Sequence, residues 1–185
     1  MISPGLREAL HKVRVRAGSF LSDAVLVLAR PTPESLVLGF LVAGVGLLIR
    51  AWASGHLQKE KTLAVSGPYR YSRNPLYFGN FFIGAGIAAA ALSWWVLGLF
   101  AAYFGFFYPL IIARERDRMK QLFPGEYDDY GRQVPLFLPS FLRRHGGVPR
   151  RFSRELYLRN KEYRALIGAV VFWLLLAAKA LLLNR

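Results

Sequence analysis

The sequence contains no cysteine among its 185 residues and only three histidines. The absence of cysteine excludes disulfides, a thiolate nucleophile, and zinc or iron–sulfur sites built on thiolates. His11, His56 and His145 are not spaced as metal ligands, so we interpret them as solvated or interfacial side chains. No resident metal is therefore expected.

Acidic residues are also scarce, since 11 Asp and Glu stand against 25 Lys and Arg and the net charge is +14. In a soluble domain such a balance would indicate nucleic acid binding. Here, however, many of the apolar residues, which make up 54% of the chain, lie in blocks long enough to span a bilayer. Basic loops between such blocks are typical of segments that face the cytoplasm and contact anionic lipids. We therefore predict anionic lipid partners and no nucleic acid partner.

Four apolar blocks predict membrane-spanning helices, and they cover residues 35–53, 76–92, 94–113 and 165–183. A fifth block, residues 19–29, is short and contains Asp23. It resembles the apolar part of a signal peptide, but no small-residue cleavage site follows, which favours a short or tilted first helix. The sequence thus predicts an all-α polytopic membrane protein with about five transmembrane helices in one domain, residues 1–185.

Three polar and basic segments flank these blocks. Residues 1–16 predict an amphipathic arm on the membrane surface, and residues 152–166 alternate apolar and charged positions as a surface-lying helix would. With five spans, the arm, loop 54–75 and segment 114–163 all fall on one side of the membrane. Because basic segments face the cytoplasm, we predict a cytoplasmic N-terminus and a cytoplasmic pocket.

The break between the blocks at 76–92 and 94–113 is a single residue, Ser93, which predicts a tight helical hairpin. Such a hairpin brings Arg73, Asn74 and Tyr77 close to Glu115. These residue types suit a ligand that carries charges of both signs and a flat ring. Contact with lipid headgroups by the arginines, and interfacial anchoring by the tyrosines, explain the same composition equally well.

The order of the motifs along the chain gives more specific information. "GPYRYSRNPLYFG" at residues 67–79 is followed by the hairpin, Glu115, "LFPGEYDDY" and "VPLFLP". This series resembles the integral-membrane methyltransferases, a family that includes isoprenylcysteine carboxyl methyltransferases and phospholipid N-methyltransferases. The resemblance covers residues 50–140, and the basic stretch and last span in residues 141–185 fall outside it.

The resemblance implies S-adenosylmethionine as the methyl donor and assigns roles to the first motif. Gly67, Pro68 and Tyr69 would form a turn beside the adenosine. Arg73 would meet a carboxylate, and Asn74 would hydrogen-bond the cofactor.

Tyr77 also belongs to the matching core of the first motif. At the second motif, Glu115 would accept from the ribose hydroxyls or the amino group, while Tyr127 and Tyr130 stand at the two family tyrosines. Arg73 and Glu115 are the residues expected to carry catalysis. The resemblance implies a lipophilic acceptor that enters from the bilayer, with a carboxylate or an amine as the methylated group.

The sequence departs from the family pattern at three points. Asn74 stands where many relatives have His, Arg116 replaces the second Glu of a pair, and "FPG" replaces "FG". These departures leave the acceptor open. Two alternatives to a methyltransferase are a membrane reductase of the sterol-reductase type and a non-enzymatic protein that binds anionic lipids.

Overall fold

The computed structural model describes residues 18, 20–59, 61–142, 146 and 150–183. Helices and their connecting loops account for all of these residues, and no strand occurs among them, which confirms the all-α prediction. The predicted surface arm at residues 1–16 lies outside the described residues. The helices are α1 (residues 20–28), α2 (Pro33–Ser54), α3 (Pro75–Ala91), α4 (Trp94–Leu122), α5 (Glu126–Gln133), α6 (Arg154–Arg159) and α7 (Tyr163–Leu183).

Three of the described helices, α2, α4 and α7, are long and apolar enough to cross a membrane. Helix α3 is equally apolar but has 17 residues, the lower limit for a span, and the described part of α1 is shorter still. Both pack into the same apolar core as α4 and α7, through residues such as Val25, Ala90 and Leu176. The protein is therefore an integral membrane protein in which full spans and shorter apolar helices form one bundle.

Helix α4 continues well past the predicted span at 94–113. Its 29 residues give a length of about 44 Å, whereas the hydrocarbon core of a bilayer is about 30 Å thick. The last turns, which carry Glu115 and Arg118, therefore extend into the polar region. The predicted hairpin at Ser93 is confirmed, because Leu92 adopts a left-handed conformation (φ 44°) and α4 begins at Trp94.

Helices α2 and α3 run antiparallel and touch through glycines. Gly46 faces Gly79, and two helical turns away Gly39 faces Gly86. A β-carbon on Gly46 would lie 2.5 Å from the Gly79 carbonyl oxygen. Small residues at such a spacing let two backbones approach closely within a membrane. Gly44 lies outside this contact, since a β-carbon on it would have no neighbour within 4 Å.

The segment before α7 differs from the continuous surface helix that its periodicity predicts. Helix α6 ends at Arg159, and Lys161 adopts a left-handed conformation (φ 56°) before α7 begins at Tyr163. The cause is tertiary, because the Asn160 side chain donates hydrogen bonds of 2.9 Å to the carbonyls of Ser54 and Leu57. The break turns Glu162 toward helix α2.

At its other end α7 is tied to α1 by Lys179. The Lys179 ammonium donates to the carbonyl oxygens of Leu26 (2.6 Å) and Val27 (2.8 Å). These carbonyls belong to the last turn of α1, where they have no intrahelical partner. Lys179 therefore caps a neighbouring helix.

We expect Lys179→Met to destabilise the protein, because it leaves these carbonyls without a donor. One lost hydrogen bond to a charged group costs about 1.5–3 kcal/mol, which corresponds to a fall in Tm of about 5 °C for a chain of this size. Thermal unfolding in detergent, followed by tryptophan fluorescence, measures the change. Leu182→Met on the exposed face of the same helix is the matched control; equal Tm values for the two variants would contradict the capping role.

Candidate active site

A cavity of about 430 Å³ lies where the polar ends of several elements meet. Loop residues 57–59 and 62–64, the start of α3, the extended end of α4 and helix α5 all contribute to its wall. Its size falls within the range of small-molecule and cofactor sites. Seven of the nine residues that the sequence assigns to a cofactor site line this cavity: Tyr69, Arg73, Asn74, Tyr77, Glu115, Tyr127 and Tyr130.

The other two predicted residues, Gly67 and Pro68, do not line the cavity. They form a 3₁₀ turn, Gly67–Arg70, whose left-handed first residue (φ 57°) lies against the ring of His56. A β-carbon on Gly67 would approach that ring to 2.5 Å. The turn thus depends on a glycine for both space and conformation, and it places Tyr69 in the wall.

His56 packs beneath this turn and is buried, with Nδ1 3.0 Å from the Ser66 hydroxyl oxygen. Burial lowers the pKa of His56 below its ordinary value of 6.5. The neutral ring is thus the form that the folded protein favours.

A pH dependence follows from His56. Because its folded-state pKa is depressed, its contribution to stability is full above about pH 6.5 and is lost as the pH falls through the folded value. We expect Tm in detergent to fall between pH 7.5 and pH 5.5, and His56→Gln to reduce that fall. An unchanged slope in the variant would contradict this contribution.

Arg73 lines the cavity from the loop before α3. Its backbone N–H donates to the Pro135 carbonyl (3.0 Å), and its guanidinium carbon lies 5.5 Å from the centre of the Tyr127 ring. Nη1 makes a long contact of 3.5 Å with the Tyr127 hydroxyl. Nε is buried and has no hydrogen-bond partner among the described residues. A buried guanidinium donor without a partner costs free energy, which a ligand oxygen would recover.

Asn74 is held in place by the segment that follows α5. Its amide nitrogen donates to the Leu136 carbonyl (2.8 Å), while Ser72 donates to the Phe137 carbonyl (2.6 Å). This gives the "VPLFLP" motif a physical role, because its backbone carbonyls hold the loop that carries Arg73 and Asn74. Because the side-chain nitrogen of Asn74 already donates to Leu136, the side-chain oxygen is the atom that can accept a hydrogen bond from a ligand.

Three tyrosines close one side of the cavity. Tyr130 donates to the Tyr69 carbonyl (2.6 Å), and the rings of Tyr127 and Tyr130 lie 6.1 Å apart. Burial raises the pKa of all three phenols, and the charge of Glu115 adds to the effect at Tyr69. They are therefore neutral hydroxyls and aromatic faces at physiological pH.

Glu115 reaches the cavity from α4, on the helix face that also carries Arg118 and Met119. Its neighbour Arg116, the reversed charge in the motif, does not line the cavity. Arg116 pairs with Asp117 at 2.9 Å, and both side chains are largely exposed. The departure at this position therefore lies outside the cavity wall.

Sequence reasoning missed Arg50 and Asn80 in the wall. Arg50 falls near the end of the predicted span at 35–53, and Asn80 lies one turn into the next apolar block. Charged and amide side chains are rare inside apolar blocks, and this rarity is a signal that could have identified both residues.

Comparisons with known proteins identify the family of this chain. The family model described as "Phospholipid methyltransferase" matches residues 34–126, from the start of α2 to the start of α5. Nickel-cobalt-cadmium resistance protein NccN of Alcaligenes xylosoxydans xylosoxydans is 35% identical over 105 residues, 56% of this chain and 47% of that protein. Cobalt-zinc-cadmium resistance protein CzcN of Cupriavidus metallidurans is 34% identical over 110 residues, 58% and 50% of the two chains.

The chain thus spans about half the length of these curated relatives. No solved structure matches it. The family match, in contrast, covers half of the chain and contains Arg73, Asn74 and Glu115. The chain therefore belongs to the phospholipid methyltransferase family of integral-membrane proteins.

Proposed function

We propose that the protein transfers a methyl group from S-adenosylmethionine to a lipophilic acceptor in the membrane, whose reacting group is a carboxylate of the isoprenylcysteine type or a phospholipid amine. The observation that carries the proposal is the buried Nε of Arg73, which lacks a partner among the described residues in a cavity that also presents Glu115. A guanidinium donor without a partner and a carboxylate in the same cavity suit the carboxylate and the amino group of an amino acid.

The donor set of the cavity fits the cofactor. Arg73 would pair with its carboxylate, and Glu115 would accept from its amino group or ribose hydroxyls. The ring faces of Tyr69 and Tyr127 would contact the adenine and the sulfonium. When bound, the cofactor supplies an electrophilic methyl group, so the protein contributes mainly position and electrostatics.

What the residues of this chain do for the acceptor depends on its reacting group. A carboxylate acceptor is already a nucleophile and needs only to be oriented by a cation. An amine acceptor must be neutral to react, and Glu115 is the carboxylate in the cavity that could take its proton.

Calorimetry on the full chain in uncharged detergent tests the proposal. We expect S-adenosylmethionine and its demethylated product to bind with dissociation constants below about 1 mM, the upper end of common KM values. The absence of binding for both compounds would overturn the proposal. Transfer of a labelled methyl group into total lipid extract would then identify the acceptor.

We further propose that the cavity faces the cytoplasm, which the basic segments around it support. The absence of native cysteine allows a clean test with single-cysteine variants. A membrane-impermeant thiol reagent added to intact cells should label Trp95→Cys at the hairpin and leave Gln121→Cys at the end of α4 unlabelled. The reverse pattern would invert the topology.

The names of the two relatives refer to resistance to nickel, cobalt, zinc and cadmium. Across the described part of this chain, no group of three or more His, Cys, Asp or Glu could hold a metal ion.

A second candidate function is the binding of anionic lipids. A separate cavity of about 260 Å³ is lined by Lys61, Arg150, Arg151 and Arg159 with Glu155 as its acidic side chain. Flotation with vesicles tests this function: a phosphatidylserine-dependent gain for the wild type that is absent in Arg150→Gln/Arg151→Gln supports it, and equal flotation of the two opposes it.

A further inference from the structure

A second large cavity adjoins the candidate active site. Its volume is about 500 Å³, and apolar side chains from α1, α3, α4 and α7 dominate its wall, among them Val25, Ile87, Phe100 and Phe172. Two residues, Arg50 and Asn80, line both this apolar cavity and the polar one. They mark the boundary between a polar and an apolar space.

Glu162 and Asn80 hold the Arg50 guanidinium at that boundary. Nε lies 2.5 Å from a Glu162 carboxylate oxygen, and Nη1 donates to the Asn80 amide oxygen at 2.5 Å. Glu162, whose side chain is 10% exposed, lines neither cavity. The Glu162 carboxylate therefore orients Arg50 without occupying either cavity.

A purely structural ion pair accounts poorly for this arrangement. Two charges removed from water are costly, and an apolar pair of the same volume is often at least as stable. Moreover, the two bonds to Glu162 and Asn80 use two of the five N–H donors of Arg50. The donors left over belong to a side chain that faces both cavities.

We propose that Arg50 binds the anionic group of an amphiphilic acceptor, whose apolar chain lies in the cavity between α1, α3, α4 and α7. This inference rests on the proposed function for the identity of the amphiphile as a methyl acceptor. A planar guanidinium pairs bidentately with a carboxylate or a phosphate, so the shared chemistry is an oxyanion next to an apolar chain. Glu162 acts as a positioning residue that holds Arg50.

The two lining residues that the cavities share, Arg50 and Asn80, support this occupant. An acceptor held at Arg50 extends its polar end toward Arg73 and Glu115, which line the same polar cavity. Its chain extends the other way, among apolar residues of the membrane bundle. Glu162 lies beyond the family match at residues 34–126, so this chain adds the orienting carboxylate from its own C-terminal part.

Binding of matched amphiphiles to the full chain in uncharged detergent tests the inference. The probes are dodecanoate, dodecyl phosphate, dodecanol and dodecyltrimethylammonium, and the readout is the concentration that raises Tm. We expect both anions to bind at least about tenfold more tightly than dodecanol, which is the effect of one charged hydrogen bond. The ratio between the two anions distinguishes a carboxylate acceptor from a phosphate-bearing one. Equal binding of dodecanol, or tighter binding of the cation, would overturn the inference.

Substitutions test whether the preference for anionic probes depends on Arg50 and Glu162. Arg50→Gln should remove the preference for anions, and Arg154→Gln, an exposed arginine on α6 that lines neither cavity, should keep it. Glu162→Gln should weaken the preference, and the double variant Arg50→Gln/Glu162→Gln should show no loss beyond Arg50→Gln alone, because Glu162 acts through Arg50. Additive losses, which a general structural defect would give, would count against the positioning role.

Calorimetry with S-adenosylmethionine on the same proteins separates this inference from the proposed function. Arg50→Gln should abolish the anion preference and reduce the cofactor affinity by a smaller factor, because Arg50 also lines the cavity assigned to the cofactor. An equal loss of both would make Arg50 a cofactor residue and overturn the inference. Cofactor binding without any anion preference overturns the inference alone, whereas an Arg50-dependent anion preference without cofactor binding overturns the proposed function alone.

Discussion

Gly46→Leu should prevent the protein from folding. The β-carbon alone would lie 2.5 Å from the Gly79 carbonyl oxygen and 2.8 Å from the Ile83 backbone nitrogen. Because these are backbone atoms, the clash is relieved only if α2 and α3 separate. That separation would also pull apart the contact between Gly39 and Gly86, and it would move Arg50, one turn further along α2, away from Asn80.

Size-exclusion chromatography in detergent and the yield of membrane-inserted protein measure this effect. We expect Gly46→Leu to give little or no monodisperse protein, and overpacking of this kind costs about 3 kcal/mol or more. Gly44→Leu is the matched control, since Gly44 lies two residues away on the same helix and a β-carbon there meets nothing within 4 Å. Similar yields of the two variants would show that α2 and α3 do not pack through this face.

Arg73→Gln should reduce the affinity for S-adenosylmethionine by about 10- to 150-fold, which corresponds to the 1.5–3 kcal/mol of a hydrogen bond to a charged group. The reason is the unpartnered Nε donor, which the proposed function assigns to the cofactor carboxylate. Arg73→Lys should recover part of the affinity, because lysine restores the charge without the guanidinium fork.

Calorimetric titration of the variants gives the comparison. Arg132→Gln is the control, because Arg132 lies on α5 with its side chain 79% exposed. Glu115→Gln should also weaken binding, by about 1–3 kcal/mol, and Glu126→Gln, exposed at the start of α5, should not. If Arg73→Gln binds the cofactor as tightly as the wild type, the cavity does not hold the carboxylate at this arginine.

Local pattern and topology predicted much of this molecule. The single residue between two apolar blocks sufficed to place the hairpin, and the hairpin sufficed to bring Arg73 and Glu115 to one cavity. Small residues within an apolar block are typical of a close helix contact, and in the structure Gly39 and Gly46 face Gly86 and Gly79.

The rest depends on contacts that no local pattern encodes. Arg50 and Glu162 are 112 residues apart, and Glu162 reaches Arg50 because Asn160 interrupts a helix that its periodicity predicts to continue. Likewise, the role of residues 135–137 lies in backbone carbonyls, which every residue type carries. The composition of "VPLFLP" therefore identifies a motif without revealing what it holds.

The hydrogen bonds from the loop of Arg73 to Pro135, Leu136 and Phe137 have a consequence for biosynthesis. The ribosome completes the Arg73 loop more than 60 residues before the carbonyls that hold it. Helices α2, α3 and α4 can therefore enter the membrane first, while the site has yet to acquire its final shape. A chain that ends at residue 126, where the family match ends, would contain these three helices but would lack the carbonyls that hold the Arg73 loop.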